Sequence, residues 1–125
     1  MRLVLGFLAV LMLLAVAVQY NDPDGPLWMA YYGVPAVWAG LAALRPAAVL
    51  GTAGRGLLIA TTVAAALLTI WYWPTDEAWW RADVWWNSEE AREGMGMMIV
   101  TAVLAFVVAA AFLAYPRDSR TRPVS

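Results

Sequence analysis

Five carboxylates fall in two short stretches of an otherwise apolar chain. Asp22 and Asp24 lie in QYNDPDGPLW, residues 19–28, with Gln19 and Asn21 beside them, and Glu89, Glu90 and Glu93 lie in NSEEARE, residues 87–93, with Arg92 among them. Converging carboxylates can hold a hard cation through oxygen, work as a general acid and base pair, or accept the forked donors of an arginine. The chain has no cysteine and no histidine. That excludes disulfides, thiol nucleophiles, imidazole bases, haem ligation through histidine or cysteine and the usual zinc sites. Whatever chemistry the chain performs runs on oxygen ligands, arginine and aromatic faces.

The same residues have structural duties to set against that chemistry. In Asn-Asp-Pro-Asp, Pro23 fixes its own φ and pushes Asp22 towards an extended conformation, while the side chains of Asn21 and Asp24 can bond backbone amides. Asp24 is placed to cap the next helix, with Pro26 in its first turn. A turn and a cap occupy only about two of the four polar residues Gln19, Asn21, Asp22 and Asp24. In the second stretch Asn87 or Ser88 can cap a helix whose first turn carries Glu89 and Glu90, where the helix dipole favours anions. Glu89 and Glu93 are four apart and share a face, a repulsion of a few tenths of a kcal/mol. Arg92 or a bound cation can offset it, and Arg92 can instead reach Asp22 and Asp24.

The elements that position these groups are membrane helices. Of 125 residues, 63% are hydrophobic and 14% charged, and the apolar residues form long runs of near-spanning length. The expected architecture is all-α: one domain of four transmembrane helices in an up-and-down bundle, with spans at about 3–20, 27–44, 56–73 and 93–115. Outer loops then cover 19–26 and 74–92, and 116–125 form a disordered tail. A secretory signal ending near Ala15-Val16-Ala17 is the alternative for the first run, and retention as a span is expected because the run continues through Val18. Arg2, Arg45, Arg55, Arg117, Arg120 and Arg122 against Asp118 give one side a net +5. Arg81 and Arg92 against eight acids give the other a net −6. By the positive-inside rule both termini are cytoplasmic and both acidic stretches face outward as neighbours across the bundle mouth.

Seven of the eight tryptophans fall near that outer side. Trp28, Trp71 and Trp73 read as rings of an interfacial belt. WWRADVWW, residues 79–86, fits neither helical nor alternating periodicity cleanly, so helix and extended interfacial loop both stay open. Pro35 removes a backbone donor within the second span, and a kink that opens a small outward cleft is expected.

VQYNDPDGPLWMAYYGVPAV, residues 18–37, and EEAREGMGMMI, residues 89–99, resemble the small membrane proteins of the transmembrane protein 220 family, which has bacterial and animal members. The resemblance implies a multi-span membrane protein without implying an activity. It marks Asn21, Asp22, Pro23, Asp24, Trp28, Tyr32, Pro35, Glu90, Arg92 and Glu93 as family-type positions. Two features depart from the family pattern: Gly25 precedes Pro26 where relatives are expected to place proline directly after the second aspartate, and Gly94-Met95-Gly96 is expected to loosen the start of the last span.

The resulting functional expectation is an integral membrane protein of the bacterial inner membrane with an acidic, Trp-rich outer mouth. That mouth, built from Gln19, Asn21, Asp22, Asp24, Trp28, Tyr32, Glu89, Glu90, Arg92 and Glu93, acts as a structural tie or a binding site. The tie would join Arg92 to Asp22 or Asp24. The alternatives are a divalent-cation or lipid-headgroup binding protein, a surface-acting enzyme, and a subunit of a membrane complex. No catalytic residue is assigned, and enzymatic activity is not the expectation. No cofactor is expected beyond Ca²⁺ or Mg²⁺, for which Asp22, Asp24, Glu90 and Glu93 are the candidate ligands. The expected partners are the lipid bilayer and a membrane protein or second copy of the chain. Scattered, few arginines exclude nucleic acid.

Overall fold

Proline, serine and glycine punctuate a chain whose side chains are otherwise almost uniformly apolar. The computed structural model describes residues 1–115, so the expected tail at 116–125 and its charges lie outside the described residues. Helix α1 runs Arg2–Ala17, α2 Gly25–Leu44, α3 Pro46–Leu50, α4 Thr52–Trp71, α5 Ala82–Asn87 and α6 Glu89–Ala109, and a π-helical turn at Ala110–Ala114 closes the last helix. Pro26 and Pro46 stand in the first turns of α2 and α3, where a missing N–H is harmless. Pro35 lies within α2 without ending it.

Three helices are long and apolar enough to cross a membrane: α2, α4 and the stretch Glu89–Ala114. Helix α1, with 16 residues, falls short of the roughly 20 that a span needs, so on this measure there are three spans rather than four. Its end has a local cause. The backbone turns at Val18 and Gln19, and the Gln19 side-chain amide donates to the Ala15 carbonyl at 3.1 Å, satisfying one of the acceptors that a helix end leaves open.

Helices α2 and α6 form the central pair. Helix α1 lies along α2, and α4 lies along α6. In their most apolar stretches α2 and α6 are each 39% buried, against 11% for α4, which makes α4 an outer helix with Leu57, Leu67 and Ile70 turned away from the protein. The core runs through Leu5, Ala39, Ala42, Leu58, Met97, Leu104 and Val107. Small residues let α2 approach its neighbours closely, as helices without a hydrophobic driving force require. Of the small residues at four-residue spacing, Ala36 on α2 is buried, whereas Ala60 and Ala64 on α4 and Ala105 and Ala109 on α6 are exposed.

Polar side chains join the last turn of α4 to the middle of α6. The hydroxyls of Thr69 and Thr101 are 2.7 Å apart, and Thr69 Oγ1 is also within 3.3 Å of the Met97 carbonyl. Nearer the acidic end, a Cβ on Gly94 would sit 2.5 Å from Pro74 Cδ and 2.8 Å from the Tyr72 carbonyl. Gly94 is therefore the seat on which the α4–α5 connection rests, rather than a loosened helix start.

This packing makes a paired prediction. Gly94→Ala must displace backbone and should destabilise by about 1–3 kcal/mol, whereas Gly33→Ala, whose added Cβ meets nothing within 4 Å, should leave the midpoint unchanged or raised. Thermal unfolding in mild detergent reads both, and equal effects would contradict the packing.

Candidate functional site

Helices α2 and α6 both begin at the acidic end, so two positive helix termini lie side by side there. Acids belong at such termini, and both segments supply them. The Asn-Asp-Pro-Asp turn is built by backbone alone: Asp22 N–H donates to the Gln19 carbonyl at 3.1 Å and Gly25 N–H to the Asp22 carbonyl at 3.0 Å. Gly25 is required here, because a Cβ would overlap the Gln19 carbonyl. Asp24 occupies the N-cap position of α2 but makes no side-chain cap bond, which corrects the expected capping role; its carboxylate lies beside those of Glu89 and Glu93 instead. At α6 the expected cap is Ser88, whose Oγ accepts from Ala91 N–H at 3.1 Å and donates to Asp76 at 2.6 Å.

Between the two termini lies a cavity of about 600 Å³ lined by Gln19, Asp22, Asp24, Trp28, Tyr32, Trp85, Trp86, Glu89, Arg92 and Glu93, with Ala15 and Val18. Eight of the ten residues expected at the mouth are thus brought together. Asn21 and Glu90 are not. Asn21 is exposed outside the cavity, and Glu90 turns the other way, accepting from the Thr75 hydroxyl at 2.7 Å and the Thr75 N–H at 3.2 Å. Carboxylate oxygens of Asp24, Glu89 and Glu93 lie within 4.8 Å of one another. This cluster differs from the expected candidate set, because Glu89 stands where Glu90 was expected and Asp22 lines the cavity outside the cluster.

Arg92 does not bridge to Asp22 or Asp24. Its guanidinium donates to the carbonyls of Trp86 at 2.8 Å and Trp85 at 3.3 Å. The reason is local: α5 ends in unpaired carbonyls that lie within reach of a cation one turn into α6. Among the described residues the one ion pair is Arg81 with Asp83, so the four cavity carboxylates have no cationic partner. Residues 82–87 are helical, while Trp79 and Trp80 lie in a turn and Arg81 in a bend, so the WWRADVWW stretch is helix over its second part and a turn, not an extended strand, over its first. Arg92 clamps this short helix so that Trp85 and Trp86 wall the cavity.

Trp28 is 4% exposed, which corrects its assignment to the interfacial belt, while Trp71 and Trp73 are exposed. It is packed edge-on against Tyr31 and Tyr72 at 5.0 and 5.4 Å between ring centres and lies 5.8 Å from Tyr32. The Tyr31 and Tyr72 hydroxyls are 3.3 Å apart. This aromatic nest anchors the inner side of the cavity. Sequence reasoning missed Thr75 and Asp76, which latch α6 to the preceding loop. Thr75 carries no signal in its type or spacing, and Asp76 was counted only as charge.

The model of the family described as "Transmembrane family 220, helix" matches residues 11–109. The chain belongs to this family. The match spans both stretches that line the cavity and agrees with the apolar helices in marking a membrane protein. No curated protein and no solved structure matches the chain.

Arg92→Ala should raise hydrogen exchange across residues 82–88, as α5 loses its clamp, and leave the α6 amides around Val100 protected. Unchanged exchange in α5 would show that the Arg92 contacts hold nothing.

Proposed function

We propose that the protein crosses the bacterial inner membrane four times with both termini in the cytoplasm, and that it binds a cation in the acidic, Trp-rich mouth at the outer surface. Four crossings are supported by the packing of α1 along α2, with Arg2 reaching the carbonyls of Ala43 and Leu44. The orientation is supported by the separation of charge: Arg2, Arg45 and Arg55 stand at one end of the helices and the described acids at the other.

One observation carries the binding reading. Asp22, Asp24, Glu89 and Glu93 line a single cavity, and no arginine among the described residues pairs with them. Crowded like charges repel, and a hard cation offsets them through oxygen ligands from more than one carboxylate. Asp24, Glu89 and Glu93 are the proposed ligands, with Ca²⁺ or Mg²⁺ as the class of ion. The structural-tie reading loses its central pair, because Arg92 is engaged on backbone carbonyls. A second reading rests on the rings of Trp28, Tyr32, Trp85 and Trp86 around the same carboxylates. Aromatic faces with nearby negative charge suit an organic ammonium, such as the end of a phospholipid headgroup.

The test is thermal unfolding in mild detergent with CaCl₂, MgCl₂, phosphocholine or phosphoethanolamine added singly. A divalent ion should raise the wild-type midpoint, and Asp24→Asn and Glu93→Gln should each remove that rise. A rise with phosphocholine or phosphoethanolamine alone would establish the ammonium reading instead. No rise with any of the four would overturn both.

A further inference from the structure

At the arginine end, away from the acidic cavity, a groove of about 580 Å³ runs between α1 and the last turn of α2. Its walls are Leu3, Gly6, Phe7, Val10, Ala43 and Leu44, and Arg2 stands at its mouth. Gly6 lines the groove, and a Cβ there would meet nothing within 4 Å, so the space beside it is open. Leu3, Phe7, Val10 and Leu44 are exposed around it.

Arg2 is held in a fixed pose. Its Nε donates to the Ala43 carbonyl at 2.6 Å and its Nη2 lies 3.4 Å from the Leu44 carbonyl. A guanidinium has five N–H donors, so the Nη1 side remains available beyond these two contacts. Arg45, the C-cap residue of α2, is also exposed. Among the described residues no acid lies at this end of the helices, where Arg2, Arg45 and Arg55 all stand. A preset planar fork of donors fits a phosphate, and the apolar channel leading away from it fits a hydrocarbon chain.

We propose that this groove seats one anionic glycerophospholipid, with an acyl chain laid over Gly6 between α1 and α2 and its phosphate on Arg2. Charge selects the occupant. A zwitterionic lipid fills the channel equally well but leaves the excess positive charge of this end unanswered, and a second copy of the chain brings the same arginines rather than their complement. The site is separate from the cation-binding mouth, and neither reading depends on the other.

The experiment is native mass spectrometry of the full chain in mild detergent with phosphatidylglycerol and phosphatidylcholine of identical acyl chains, supplied together. Wild type should carry phosphatidylglycerol adducts several-fold in excess of phosphatidylcholine. Arg2→Gln should abolish that excess, and Arg2→Lys, which keeps the charge, should retain most of it. Gly6→Leu should deplete adducts of both lipids without lowering the melting midpoint. Equal adducts of the two lipids on wild type would overturn the proposal, as would an undiminished excess on Arg2→Gln. Gly6→Leu leaves every polar group in place and decides the matter if Arg2→Gln loses the end of α2: unchanged lipid adducts on it overturn the proposal. A chain dimer that disappears on Gly6→Leu while lipid adducts persist would assign the groove to a second copy and overturn it too.

Discussion

Direct packing of α2 against α6 is the constraint on which the rest depends. Both helices start at the same end of the molecule, so their positive termini are neighbours. Parallel macrodipoles placed together favour negative charge beside their N-termini, and the chain meets that demand with Asp24 before α2 and Glu89, Glu90 and Glu93 in the first turns of α6. Two stretches some sixty-five residues apart in sequence become one surface as a result. The acids then crowd one another, and the crowding gives the cavity its chemical character.

The supporting shell follows from that pair. The α4–α5 connection must cross the start of α6 closely, and Gly94 makes room for Pro74. Thr75 takes Glu90 out of the acidic group, Asp76 accepts from the capping serine, and Arg92 satisfies the end of α5. The cavity lining that results is mainly carboxylate and aromatic, with Gln19 and Arg92 as its other polar side chains. At the opposite end Arg2 ties α1 to α2 by the same device, a guanidinium on terminal helix carbonyls.

Much of this arrangement was legible in the sequence. Apolar runs located the long helices, since in lipid a helix satisfies its own backbone, and the segregation of arginines from acids brought residues 19–28 and 87–93 to one end. Eight of ten mouth residues could be named because polar side chains are so few that their positions are informative. The misses are of another kind. Whether Arg92 meets Asp22 or the Trp86 carbonyl is decided by where α5 ends, and the mixed periodicity of residues 79–86 did not fix that. Whether Glu89 or Glu90 faces Asp24 turns on a rotation of 100° about α6, which the packing of α6 between α2 and α4 sets. Trp28 looked like a belt residue because it stands at a helix end, but its ring is packed inward against Tyr31 and Tyr72. The end of α1 was placed about three residues too late because Val18 continues the apolar run past the point where the backbone turns.

The most direct test of the account is thiol crosslinking in native membranes, which the absence of any native cysteine makes clean. Asp24→Cys combined with Glu93→Cys, and Asp24→Cys combined with Glu90→Cys, would each be treated with a short bifunctional thiol reagent, and the product identified by mass spectrometry. The account predicts rapid crosslinking within one chain for the Glu93 combination and little for the Glu90 combination, whose side chain faces Thr75. Equal crosslinking of the two, or none in the first, would contradict the convergence of α2 and α6 on a shared acidic cavity.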